Sequence, residues 1–159
     1  MRPSLTLLFS VLGFVALGWP SASRAEEWQE AENDVARLGL AFVVCTDNPT
    51  QVACLGIGCS ADRPELVSIR SGGGAFEGRT AIETGSGTFH VEFGKWDRSI
   101  MDVIGVSGSR AQISIDVLEA ISHSNQVTFK GPNYNQDVFS TAGLEQLINA
   151  SKASCLRRK

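Results

Sequence analysis

The chain is poor in the patterns by which active sites are usually recognised. It has two histidines, His90 and His123, a single tyrosine, Tyr134, and no Cys-x-x-Cys. A dithiol redox motif is therefore excluded, and two isolated histidines offer no metal-ligand spacing. There is no His-Glu-x-x-His, and no glycine-rich run leads into Gly-Lys-Ser/Thr, so neither a zinc-protease helix nor a phosphate-cradling loop is present. The closest approach to a nucleophile elbow, Gly105-Val106-Ser107-Gly108-Ser109, carries serine where the last glycine belongs. An excess of positive charge is also lacking. The 14 basic and 17 acidic side chains leave −3, whereas a nucleic-acid binder carries a basic stripe. Uninterrupted apolar runs fall short of the roughly 20 residues that cross a bilayer, so stable membrane insertion is not expected. The chain reads as a non-enzyme with no cofactor and no metal.

What is present is a globular composition. The 159 residues are 43% apolar, enough for the core of one domain but thin for two. Residues 1–25 have the layout of a cleaved signal peptide. Arg2 supplies the positive start, Leu5 to Trp19 the apolar stretch, Pro20 the break, and Ser23 and Ala25 the small residues before the cut. Cleavage there removes Arg2 and Arg24, leaving 12 basic and 17 acidic side chains, a net charge of −5. The expectation is one exported domain over 26–159, periplasmic or secreted.

Export changes the reading of the cysteines. Cys45, Cys54, Cys59 and Cys155 all lie in the exported part, and an even count in an oxidising compartment points to two disulfides. Three pairings are possible. Segments 39–45 and 53–59 look like strands joined by a turn-rich stretch, which would set Cys45 nearly opposite Cys54. Cys59 then remains for Cys155, tying an early strand to the C-terminus.

Residues 26–38 fit a short helix or a loose arm. Residues 65–71 alternate and run into Gly72-Gly73-Gly74. Residues 79–83 and 88–93 flank Thr84-Gly85-Ser86-Gly87, a hairpin signal. In 88–93, Phe89, Val91 and Phe93 share one face and Thr88, His90 and Glu92 the other. Residues 99–106 suit helix and strand equally. Residues 114–124 have a helical period with Ser114 as N-cap, Asp116 in the first turn and His123 near the end. Residues 126–130 and 136–140 form a further hairpin around Tyr134. Thr141 is placed to cap a last helix over 142–153, with Cys155 on its apolar face if the helix runs that far. The fold class is α+β: a mainly antiparallel sheet with two short helices in the C-terminal third, braced by disulfides.

The candidate binding residues are Ser86, Gly87, Thr88, His90 and Glu92 on one hairpin, with Trp96 and Tyr134 as aromatics expected to be exposed. Glu83 and Glu92 could approach across the hairpin as a carboxylate pair for glycoside chemistry, but carboxylates on facing strands are more often a solvated surface.

Three stretches carry a resemblance: Leu55-Gly56-Ile57-Gly58-Cys59, Pro64-Glu65-Leu66-Val67, and Phe139-Ser140-Thr141-Ala142-Gly143-Leu144 with the closing Cys155. Over about its last 100 residues the chain resembles a loose group of exported envelope proteins of Gram-negative bacteria with no assigned activity. It is more distantly similar to invasion-associated exported proteins and to small periplasmic lysozyme inhibitors. Those inhibitors present a Ser/Gly loop to the lysozyme active site. Thr84-Gly85-Ser86-Gly87-Thr88 is the stretch that echoes it, although the tyrosine and lysine expected around that loop are not clearly present. The resemblance implies an envelope-associated β-rich domain. The expected role is a non-catalytic binding protein of the cell envelope, most specifically an inhibitor or modulator of a lysozyme-type cell-wall hydrolase, whose partner is an envelope protein. A hydrolase built around His90 and a small-ligand carrier are the alternatives. Nothing in the pattern sets an oligomeric state.

Overall fold

A computed structural model describes residues 27–46, 53–71, 74, 76–96, 106–132 and 136–157. The expected signal peptide, the segment 99–105 and Tyr134 lie outside the described residues. Within them the strands are β1 (Gln29–Glu30), β2 (Leu40–Cys45), β3 (Ala53–Ser60), β4 (Arg63–Ser71), β5 (Gly78–Thr84), β6 (Gly87–Lys95), β7 (Val106–Gln112), β8 (Gln126–Lys130) and β9 (Asp137–Ser140). The helices are α1 (Asn33–Arg37), α2 (Ile115–Ser122) and α3 (Leu144–Ala150), followed by a 3-10 turn, Ser154–Leu156. The expected α+β class holds, with α1 as an additional N-terminal helix.

Every strand pairing is antiparallel, in the order β1-β2-β3-β4-β7-β6-β5-β8-β9. The sheet curls until its ends meet. The Trp28 amide donates to the Ala142 carbonyl at 3.0 Å and its indole N–H to the Ser140 carbonyl at 2.8 Å, tying the first strand to the last. Inward residues of all the long strands then share one core. It contains Leu55, Ile57, Leu66, Phe76, Phe93, Phe129 and Phe139, joined by Leu118 and Ile121 of α2. The strand ends bordering 47–52, 72–77, 97–105 and 131–136 lie at one end of the barrel. The other end carries the tight turns, α2, α3 and the 3-10 turn.

A second, smaller core lies outside the barrel. Leu38, Leu40, Val43, Cys54, Val67, Ile69 and Trp96 cluster there, with Val35 of α1 packed against them. Two glycines in β3 make this possible. A Cβ on Gly58 would sit 2.7 Å from the Gly39 carbonyl oxygen, and one on Gly56 would sit 2.5 Å from Leu40 Cδ1. The turn from α1 into β2 therefore crosses directly over β3, where any side chain would push it away.

Both expected disulfides are present. Cys45–Cys54 joins directly opposed residues of β2 and β3, with Cα atoms 4.0 Å apart, and Cys59–Cys155 joins β3 to the 3-10 turn, with Cα atoms 6.0 Å apart. Ser114 caps α2 as expected, accepting from the Val117 amide at 3.3 Å. Two expectations about α3 are corrected. Thr141 does not cap it, because its hydroxyl donates to the Ser124 carbonyl, and the N-cap is Gly143 in the left-handed region at φ +82°. Nor does the helix reach Cys155. The chain becomes extended at Ser151, and the Arg157 guanidinium donates to the Asn149 and Ser151 carbonyls. Leaving the helix there lets Cys155 turn back to Cys59.

Candidate functional site: the β5–β6 hairpin and its outward face

The β5–β6 hairpin turns at Gly85-Ser86, and its register sets Glu83 opposite Thr88, Ala81 opposite His90 and Arg79 opposite Glu92. These residues alternate with Thr80, Ile82, Phe89, Val91 and Phe93, which face the core side. The polar set accordingly lies on one outward face. β8 extends that face, with Lys130 opposite Ala81 and Thr128 opposite Glu83. Lys130 Nζ lies 2.7 Å from Glu83 Oε1. β9 adds Val138 opposite Thr128, and at 40% exposure it is the large apolar side chain most open to solvent among the described residues.

The tip is fastened at two levels. Within it, Thr84 Oγ1 donates to the Gly87 carbonyl at 3.0 Å and accepts from the Ser86 amide at 3.3 Å. Beyond it, the Gly85 amide donates to Ser124 Oγ at 2.8 Å, and that hydroxyl donates to the Ala120 carbonyl of α2 at 2.7 Å. The end of α2 thus braces the hairpin, and the loop is held before any partner arrives.

Ser86, Gly87, Thr88, His90 and Glu92 are brought together and exposed on this hairpin. Trp96 is not among them and corrects the expectation of exposure. It is 4% exposed, packs in the outer core beside Val67 and Ile69, and donates its backbone N–H to the Gly108 carbonyl at 3.0 Å. Counting by two from Gly94 puts Trp96 on the outward face, but here that face is covered. The carboxylate pair is not formed either. A whole ladder row, Ala81 with His90, separates Glu83 from Glu92, and Glu83 is held by Lys130. Arg79, Lys130 and Val138 belong to the same surface and were not singled out from sequence. Extending the alternation of 88–93 across the turn to Arg79, Ala81 and Glu83 would have found the first of them.

His90 has Ala81 and then Lys130 as its ladder neighbours. His123 terminates α2, with Nε2 3.7 Å from Glu145 Oε1, and both side chains are well exposed. His123 shares the cleft between α2 and α3 with Ser122, Glu119 and Glu145. Among the described residues, no cluster of three His, Cys, Asp or Glu could hold a metal ion, and no helix is long and apolar enough to cross a membrane.

The barrel interior is filled rather than hollow. Phe76 lies 5.4 Å from both Phe93 and Phe129 between ring centroids, and Phe129 lies 5.8 Å from Phe139. At the end away from the helices, Arg70 pairs with Asp137 across the barrel, its guanidinium 5.6 Å from the Phe76 ring centre. Clefts occur on the surface instead. One of about 350 Å³ lies in the seam between Val44–Thr46 and Val138–Ser140. Another of about 610 Å³ lies at the helical end beside Cys155, and a third of about 390 Å³ lies between α2 and α3. Compared with known proteins, the chain matches no family model, no curated protein and no solved structure.

Proposed function

We propose that this protein is a non-catalytic binding protein of the cell envelope, most specifically an inhibitor or modulator of a lysozyme-type cell-wall hydrolase. One observation carries the reading: a hairpin whose inner face is core presents Ser86, Gly87, Thr88, His90 and Glu92 outward, with the Gly85 amide at its tip bonded at 2.8 Å to Ser124, just past α2. A loop fixed in advance loses little conformational entropy on docking, which favours binding. The two disulfides suit the oxidising compartment where such hydrolases act. With the signal peptide removed, a charge of −5 would steer the domain toward a basic hydrolase and raise the association rate more than the affinity. A stable complex buries about 1,200–2,000 Å² in total, more than a tip provides. The outward face through Arg79, Lys130 and Val138 supplies the remaining contact area.

Of the alternatives, a small-ligand carrier needs an open interior, and four packed phenyl rings occupy it here. A hydrolase centred on His90 would have to draw its nucleophile from beyond the ladder neighbours Ala81 and Lys130.

The test is lysis of purified cell wall by a lysozyme and by lytic transglycosylases, with and without the domain, at low and moderate salt. Inhibition at micromolar protein that weakens with salt is expected, with a complex seen by calorimetry. Absence of both defeats the inhibitor reading.

A further inference from the structure

β2 and β9 border the seam cleft of about 350 Å³, yet no ladder joins them. Register assigns the backbone groups that face it. The Thr46 amide donates to the Ala53 carbonyl at 2.8 Å, which makes these two a hydrogen-bonded pair continuing the β2–β3 ladder. Hydrogen-bonded and non-hydrogen-bonded pairs alternate along an antiparallel ladder. The N–H and C=O of Cys45 therefore point away from β3, toward the seam. On the other side the Thr141 amide donates to the Asn125 carbonyl at 3.3 Å. By the same alternation the N–H and C=O of Val138 and of Ser140 point away from β8, toward the seam. The Trp28 indole engages the Ser140 carbonyl at 2.8 Å, as this orientation requires, and stops the cleft at that end. The remaining groups, on Cys45, Val138 and Ser140, enter no strand pairing. The side chains around them are uncharged. Thr46, Asn125 and Gln126 line the cleft, and Val44 and Phe139 bring it against the barrel core. Val138, 40% exposed, is its apolar lip.

We infer that the seam cleft is a binding site for an uncharged acetamido sugar unit. Four features of the cleft set this chemistry. Donors and acceptors face it from both sides, so the ligand carries both kinds of group on opposite edges. No charged side chain lines it, and an ion placed there would lose hydration without gaining a counter-charge. Its volume lies at the small end of the range for small-ligand sites, about 300–1,000 Å³. Its floor and lip are apolar. A pyranose ring meets all four, with hydroxyls around its rim and C–H groups on its faces, and an acetamido substituent offers the strand edges the N–H and C=O of a peptide group. An extended peptide fits less well, because Trp28 blocks one end and the chain could not run through. The Asn125 and Gln126 side chains, both exposed and in no hydrogen bond described, supply the carboxamides that hold the hydroxyls. This site does not depend on the hairpin tip or on a hydrolase partner.

The probes are diacetylchitobiose, its deacetylated disaccharide at a pH where the amines are protonated, and a capped alanine tripeptide. Each is titrated into the intact disulfide-bonded protein and followed by amide NMR. Diacetylchitobiose is expected to shift the Cys45, Val138 and Ser140 amides saturably at millimolar sugar, with little dependence on salt. The cationic disaccharide should bind at least about tenfold more weakly, since the cleft offers its charge no partner. Asn125→Ala and Gln126→Ala should each weaken the neutral sugar by about fivefold, the worth of one hydrogen bond, while leaving the melting curve as in the parent. No saturable shift at the three amides, equal binding of the charged disaccharide, preference for the capped peptide, or unchanged affinity in both variants would overturn the assignment.

Discussion

The two halves of the barrel are built from similar strands and differ in what covers them. In β3 and β4, consecutive residues Ala53–Gly58 and Pro64–Ile69 are all buried, because the barrel core takes one face and the outer core takes the other. In β6, burial alternates, and the exposed residues Thr88, His90 and Glu92 face solvent. The cause is local. Gly56 and Gly58 remove two side chains, so Gly39 and Leu40 can cross β3 and bring α1 over it. Among the described residues nothing crosses β5 and β6 in this way, and Thr88, His90 and Glu92 on their outward face are exposed. One half covers both of its faces, and the other leaves one exposed.

The comparison is broken most forcefully at the helical end, where the covered half is tied to the C-terminus. On the chain-entropy account, removing a link of 96 residues costs about 4–5 kcal/mol, and removing one of 9 costs about 2.6 kcal/mol. Cys155→Ser should therefore lower the melting temperature more than Cys54→Ser. Calorimetry of the two variants decides this, and equal losses would mean that the helical end is held chiefly by Leu156 and its neighbours.

The next largest effect tests the crossing itself. In Gly58→Ala, the new methyl meets a backbone oxygen at 2.7 Å, which no rotamer change can relieve. A loss of about 2–3 kcal/mol is expected in denaturant titration. Gly94→Ala is the control, since nothing lies within 4 Å of a Cβ there, and it should cost well under half as much. A comparable loss at both sites would mean that strand glycines matter for reasons other than the crossing.

The outer core then sharpens the contrast. Val67 is fully buried on the outward face of β4, and Val67→Ala should lose about 2 kcal/mol through lost burial and the cavity left behind. Thr88→Ala, on the outward face of β6, should lose no more than about 0.5 kcal/mol. Similar losses would show that the outward faces of the two halves are not differently covered.

Much of this division was legible in the residues. The period-2 alternation of 88–93 located the open face, and Thr84-Gly85-Ser86-Gly87 located its turn. The cysteine arithmetic located both disulfides, because a hairpin register leaves only one partner for Cys59. What could not be read was whatever depends on residues distant in sequence. Trp96 has polar neighbours, Lys95 and Asp97, and reads as exposed, yet Val67 and Ile69 bury it. Leu55-Gly56-Ile57-Gly58-Cys59 reads as a strand with two weak points, and the reason for both glycines lies in Gly39 and Leu40. Thr141 has the right chemistry for a cap, but Ser124 engages its hydroxyl. Local pattern specifies which face a side chain takes, and only the fold specifies what comes to lie on that face.

The smallest expected change in stability belongs to the residues on which the proposed function depends most. His90 is exposed with Ala81 opposite it, so His90→Ala should shift stability by no more than about 0.5 kcal/mol. The Glu83–Lys130 pair, with both side chains more than two-fifths exposed, contributes at most about 1 kcal/mol and less in salt. If the outward face of β5, β6 and β8 is the docking surface, a variant carrying His90→Ala and Glu83→Ala should melt almost as the parent does while losing about tenfold in affinity for the hydrolase, about 1.4 kcal/mol. Calorimetric titration alongside a melting curve separates the two quantities. Parent-like melting with parent-like affinity would move the binding surface off this face. Loss of both together would show that the face is structural and that the two halves of the barrel differ less than their coverage implies.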